Sequence, residues 1–173
     1  MACPKLYWKN YDKKENDMEM NEKFMQMAVE EAREGIHQGH GGPFGAVIVK
    51  DGKVVAKGHN RVVELNDPTC HGEVDAIRKA CKELGTFDLS GCVLYTTGEP
   101  CPMCFCACLW ANIEKIYYGC TIEENSIIGF RDENFYGKVA DRNAMKGFLT
   151  QVGHDHCEAL FNEYNAIQDK THY

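Results

Sequence analysis

Apolar residues recur at helical spacing between Met18 and His37, where Met25, Ala28, Val29, Ala32 and Ile36 fall on one face and glycines at 35, 39, 41 and 42 end the pattern. The period then changes. Pro43 to Val49 and Val54 to Ala56 are short β-rich runs on either side of Asp51-Gly52, which predicts a hairpin. Beyond His59-Asn60 and the loop Asp67-Pro68-Thr69, a second helix is predicted from about His71 to Leu84, with Val74, Ile77, Cys81 and Leu84 along one side and Gly85 as its stop. Residues 92 to 97 predict a buried strand. Gly98-Glu99-Pro100 turns it into a helix from about Pro102 to Asn112, and a further strand spans Ile113 to Gly119. The segment 121 to 148 has little periodicity, Ile127 to Phe130 being its one sizeable apolar cluster. A last helix is predicted from about His156 to Gln168, with Ala159, Leu160, Tyr164 and Ile167 on one face. Residues 1 to 17 are polar and mixed in charge, and are expected to form an N-terminal arm ahead of one domain, 18 to 173. Alternating helices and strands with short connections predict an α/β fold layered α/β/α, with crossover helices between the later strands.

Composition narrows what such a domain would do. A chain of 173 residues buries a sufficient core without disulfides, so its ten cysteines call for another explanation. The start Met1-Ala2-Cys3-Pro4-Lys5 has no apolar signal region and no apolar run is long enough to span a bilayer, so the expectation is a cytoplasmic protein with reduced thiols and no membrane partner. The net charge of -7, with no lysine- or arginine-rich block, argues against nucleic acid as the main partner and favours a small-molecule substrate.

Pro100-Cys101-Pro102-Met103-Cys104 places two thiolates where a helix is predicted to begin, the first just outside it and the second in its first turn. Thiolates so spaced converge on one ion, and the helix N-terminus favours their charge. His71 and Glu73 open the preceding helix, and two helix N-termini after neighbouring strands face each other at a sheet edge. With His71, Cys101 and Cys104 on Zn2+, one ion per chain, three protein ligands leave a position for water. Glu73 then serves as the base that takes the water's proton and passes it to a leaving group. Such a centre suits attack on an electrophilic carbon bearing an amino group, with loss of ammonia. Each part alone has duller uses, since Cys-x-x-Cys is often redox or structural and helix-face cysteines such as Cys81 and Cys108 often only fill a core. A structural zinc site would need a fourth ligand, for which Cys70, Cys106 and Cys108 are available. A non-enzymatic zinc- or thiol-binding protein built on Cys101, Cys104, Cys106 and Cys108 is the alternative from another class.

His-x-Glu followed by Pro-Cys-x-x-Cys is the order found in zinc nucleobase deaminases, and the sequence resembles the cytidine/deoxycytidylate deaminase superfamily. Within it the similarity is greatest to bacterial guanine deaminases and the related plant guanosine deaminases, through GGPFGAVIVKDG at 41 to 52, GHN at 58 to 60, DPT at 67 to 69, EVDAIRKACKELG at 73 to 85, LYTTGEPCPMC at 94 to 104 and IGFRDENF at 128 to 135. The resemblance implies a mixed five-stranded sheet with helices on both faces, the same zinc ligands, and Glu73 as proton shuttle. It also implies a purine pocket: Phe44 and Trp110 pack near the ring, Asn60 and the backbone amide of Gly72 hydrogen-bond it, and Asp132 reads its amino/imino edge. By the same resemblance Tyr173 is a lid element, Glu158 a substrate-side acid, and the protein a homodimer whose C-terminal segment can cross between subunits. The expected reaction is deamination of an aminopurine, guanine to xanthine first, with guanosine, 8-oxoguanine, cytosine and adenosine in tRNA as alternatives. The chain departs from the family pattern in three places. Gly72 stands where the pattern has alanine, Thr97-Gly98 where it has Ser-Cys, and Cys104-Phe105-Cys106-Ala107 where it has Cys-x-Gly-Ala. Loss of the methyl at Gly72 is expected to widen the pocket wall and admit a larger or differently substituted ring.

Overall fold

A computed structural model describes the backbone of residues 5–140 and 148–169, with side chains from residue 19 onward. Its elements in chain order are α1 (Lys5–His37), β1 (Gly45–Lys50), β2 (Lys53–His59), α2 (Val62–Leu65), α3 (Gly72–Leu84), β3 (Cys92–Gly98), α4 (Pro102–Trp110), β4 (Lys115–Cys120), α5 (Ile122–Ile127), α6 (Asp132–Ala140) and α7 (His154–Asn165).

The sheet runs β2-β1-β3-β4. β1 is antiparallel to both β2 and β3, and β3 is parallel to β4, joined by the crossover helix α4. Asp51 and Gly52 both adopt positive φ, as the tight hairpin turn requires. The two faces of the sheet follow strand alternation. Ala46, Ile48, Ala56, Cys92 and Leu94 meet Ala76 and Ala80 of α3 and Cys108 of α4, whereas Val47, Val49 and Tyr95 meet Phe24 and Ala28 of α1. The mixed α/β/α layering thus follows from residues that bury opposite faces of the same strands. Truncating Ile48 or Leu94, both fully buried, would cost about 2–5 kcal/mol.

Two expectations change. Among the described residues the sheet has four strands, not five. After β4 the chain turns away into α5, because Thr121 and Glu124 form a capping box that starts a helix at the sheet's end. Helix α1 begins at Lys5, within the segment expected as an arm. Residues 5 to 34 contain no glycine or proline, so nothing in them stops a helix, although residues 5 to 17 lack the apolar period that marks its later turns.

Candidate metal centre and adjoining cavity

His71 is the N-cap residue of α3 and Cys101 that of α4, both in extended backbone, while Cys104 sits in the first turn of α4 behind Pro102. The capping position turns each side chain out of its helix toward the end of the sheet. There His71, Cys101 and Cys104 bring one ligand atom each within 4.8 Å of one another, the one such grouping of metal-binding side chains among the described residues. Cys101 Sγ lies 3.6 Å from His71 Nδ1.

The electrostatics of this corner fit a cation. The hydrogen bond from the Cys104 thiol holds Cys101 down to about 4, with His71 adding to the effect against burial. Cys104 itself is pushed far up by that bond, by burial and by the nearby Glu73. The contact with Cys101 raises His71. Burial raises Glu73, which is 4% exposed in the first turn of α3. Two sulfurs and a buried carboxyl crowded around one imidazole form a donor set short of positive charge, which a divalent ion supplies. Cys70 and Cys108 are buried as well, but neither joins the ligand grouping, and burial pushes the Cys108 thiol up to about 12.

The centre opens on a cavity of about 680 Å³ lined by His71, Glu73 and Cys101 together with Phe44, Asn60, Phe130 and Asp132. Phe44 precedes β1 and meets Phe130 edge-on at 4.6 Å. Its carbonyl accepts the Asn60 backbone N–H at 2.8 Å. Asn60 is buried, and its Oδ1 takes the Val62 N–H at 3.2 Å and the Gly42 N–H at 3.4 Å. Asp132 opens α6, and its carboxyl is pushed up by burial first and by Cys101 second. Gly72 is buried in the first turn of α3, where the helix leaves its N–H without an internal acceptor.

Other expected site residues fall elsewhere. Trp110 lies at the end of α4 and lines an outer cavity of about 1020 Å³ that shares His71, Cys101, Arg131 and Asp132 with the inner one. Glu158 is exposed on α7 and lines neither cavity. Tyr173 lies outside the described residues. The widening expected at Gly72 does not occur. A methyl there would come 2.7 Å from the Phe44 carbonyl oxygen, so the space is taken by backbone rather than opened to a ligand.

Several residues at the site were not singled out from the sequence. Phe130 and Phe135 line the inner cavity and stand inside the IGFRDENF match, where their ring types were the available signal. Tyr136 of α6 donates its O–H to the Pro100 carbonyl at 2.6 Å, one residue before the ligand Cys101, and burial pushes its phenol up to about 12. His40 has no sequence signature, whereas His59 stands inside the GHN match at 58 to 60. His59 Nδ1 is 2.9 Å from Glu31 of α1 and its Nε2 is 2.8 Å from His40, whose backbone carbonyl accepts the Val63 and Glu64 N–H groups.

Comparison with known proteins now bears on this geometry. The model of the cytidine and deoxycytidylate deaminase zinc-binding region matches residues 18–120. The chain belongs to this family. It is 50% identical to the guanine deaminase of Bacillus subtilis (strain 168) over 124 residues, 72% of this chain and 79% of that protein. It is 46% identical to the tRNA-specific adenosine deaminase of Aquifex aeolicus (strain VF5) over 97 residues, 56% of this chain and 64% of that protein. The X-ray structure of the Bacillus subtilis guanine deaminase superposes with a TM-score of 0.80 at 40% identity, covering 88% of this chain and 98% of that one. As a member of the deaminase family, the chain is a zinc-dependent hydrolase acting on a carbon–nitrogen bond.

Proposed function

We propose that the protein deaminates an aminopurine base, with guanine giving xanthine and ammonia as the leading reaction. The supporting observation is the cavity itself. Glu73 and the ligand side chains stand in one space with the Phe44–Phe130 aromatic pair and the Asp132 carboxyl, an apolar wall with a few placed polar groups of the kind a flat heterocycle requires. The similarity to the Bacillus subtilis guanine deaminase, which extends past the zinc-binding region, supports the same reading.

His71, Cys101 and Cys104 would hold one zinc ion per chain, which supplies an acidified water beside the substrate. Glu73, buried and with its carboxyl raised, would serve as the base that takes up a proton and returns it to the departing amino group. Phe44 stacks or packs against the ring, with Trp110 farther out at the mouth. Asn60 and the Gly72 N–H orient the ring by hydrogen bonds, and Asp132 receives its amino/imino edge.

The exposed apolar residues of α4 (Phe105, Leu109 and Trp110) and α7 (Leu160, Phe161 and Tyr164) support a homodimer, because no residue of α7 is buried on its own domain. In such a dimer α7 and the tail cross to the partner, carrying Glu158 and Tyr173 toward the neighbouring mouth. The nine cysteines among the described residues are all free, in keeping with a reducing, cytoplasmic setting. No helix among the described residues is long and apolar enough to cross a membrane.

Ammonia release measured with guanine, guanosine, 8-oxoguanine, adenine, adenosine, cytosine and a tRNA anticodon stem-loop tests the substrate. Turnover of the tRNA substrate alone overturns the purine-base reading. Glu73→Gln is expected to keep zinc near one equivalent while turnover falls by about 10²–10⁴-fold. A variant that stays active would show that Glu73 is not the proton shuttle.

A further inference from the structure

Phe44 packs closely against two residues that have no side chain. A Cβ at Gly98, the last residue of β3, would come 3.0 Å from Phe44 Cε1 and 2.9 Å from Asn125 Oδ1. A Cβ at Gly72 would come 2.7 Å from the Phe44 carbonyl oxygen and 3.1 Å from its carbonyl carbon. One glycine therefore admits the ring and the other the backbone of the same residue. Both φ values are ordinary, so neither glycine is demanded by its own backbone conformation, and close approach is what uses them. Phe44 lines the cavity, whereas Gly98, against which its ring packs, does not. Both positions are among those where the chain departs from the pattern of the family it resembles.

We infer that Gly72 and Gly98 are positioning residues that seat Phe44 deep in the wall and so set the width of the substrate cavity. The surroundings leave the ring one direction to yield. Thr97 Oγ1 accepts the Gly45 N–H at 3.1 Å and donates to the Pro43 carbonyl at 3.0 Å, which ties the backbone on both sides of Phe44 to β3. Phe130 closes the ring's edge. A methyl added at Gly98 thus turns the ring toward the cavity rather than carrying the whole segment away. At Gly72 the obstacle is backbone, which cannot rotate aside, so the same substitution displaces the strand entry as well.

This inference rests on the purine-deaminase reading, and one set of measurements separates the two. For Gly98→Ala, zinc content is expected to stay near one equivalent and KM for guanine to rise roughly three- to tenfold with kcat changed less, since a shift of a few tenths of an ångström displaces the substrate without removing a reacting group. Phe44→Leu and the double variant Phe44→Leu/Gly98→Ala supply the control. If the added methyl acts through the ring, the double variant has the KM of Phe44→Leu alone. An unchanged KM in Gly98→Ala, or a penalty that adds in full to that of Phe44→Leu, overturns the inference while leaving deamination intact. Absence of turnover by the wild-type chain on every aminopurine overturns both.

Discussion

The substrate cavity has two walls held in different ways. The wall carrying Phe44 and Asn60 is wired into the body of the domain. Glu31, His59, His40 and Glu64 form a continuous polar chain from α1 to the start of α2, with Glu31 and His59 side chains only 11% exposed. A carboxylate at His59 Nδ1 calls for the N–H on that nitrogen, which leaves Nε2 to accept from His40. The His59 ring also fits against α1 so closely that a methyl on Gly35 would come 2.5 Å from it. The facing wall, α6 with Asp132 and Phe135, has no buried residue, and among the described residues its side-chain hydrogen bond to the metal loop is the one from Tyr136 to the Pro100 carbonyl. The difference assigns tasks: the wired wall presents a fixed surface, while the lightly held wall is free to adjust to what binds, as regions of few buried contacts do.

Removing the metal sharpens the contrast most. Chelation is expected to abolish ammonia release, with zinc restoring it, and to speed amide exchange at residues 71–75, 101–105 and α6, while residues 40–44 and 59–65 stay protected. Equal loss of protection in both walls would mean that the ion, not the wiring, holds the Phe44 side. Next in size is His59→Ala. It removes the hydrogen bond from His59 Nδ1 to the Glu31 carboxylate, which keeps Lys57 at 3.7 Å, and opens a void against α1. The expected loss is about 3 kcal/mol, a Tm fall of about 6–12 °C in thermal unfolding. A fall of less than a degree would show that the wired wall is held by backbone alone.

Tyr136→Phe, on the lightly held side, is expected to lower Tm by about a degree or two and to raise KM roughly threefold with zinc content unchanged. An effect as large as that of His59→Ala would erase the distinction between the walls. The smallest effect is a pH dependence. The hydrogen bonds from Arg61, at 2.6 and 2.8 Å, hold the Glu64 carboxyl below its ordinary 4.5. Stability from a depressed carboxyl is present above the unfolded pKa and is lost as pH falls through the folded one. The Tm difference between wild type and Glu64→Gln should therefore persist above pH 4.5 and close below it. A gap that widens in acid would contradict this pairing.

The sequence made the secondary structure readable wherever burial shapes residue choice, because the continuous apolar run Ala46 to Val49, buried on both faces of the sheet, and the helical period in α3 are imposed by burial itself. It was silent on α5 and α6. Neither has a strong apolar stripe, since each rests on the domain by its ends or by a few contacts. His71, Glu73, Cys101 and Cys104 were legible for a related reason: a metal centre at two helix N-termini needs particular residue types at short, fixed spacings, and short spacing survives in a linear string. What required the tertiary structure were relations between distant residues with no rule of spacing. His40 and His59 meet from 19 positions apart, and Tyr136 reaches Pro100 from 36. Gly72 shows the limit most sharply. The sequence says that a methyl is missing there, but only the packing decides whether the vacated space belongs to a ligand, and it has gone to the carbonyl of Phe44. Side-chain type is a local property, whereas who fills a gap depends on everything packed around it.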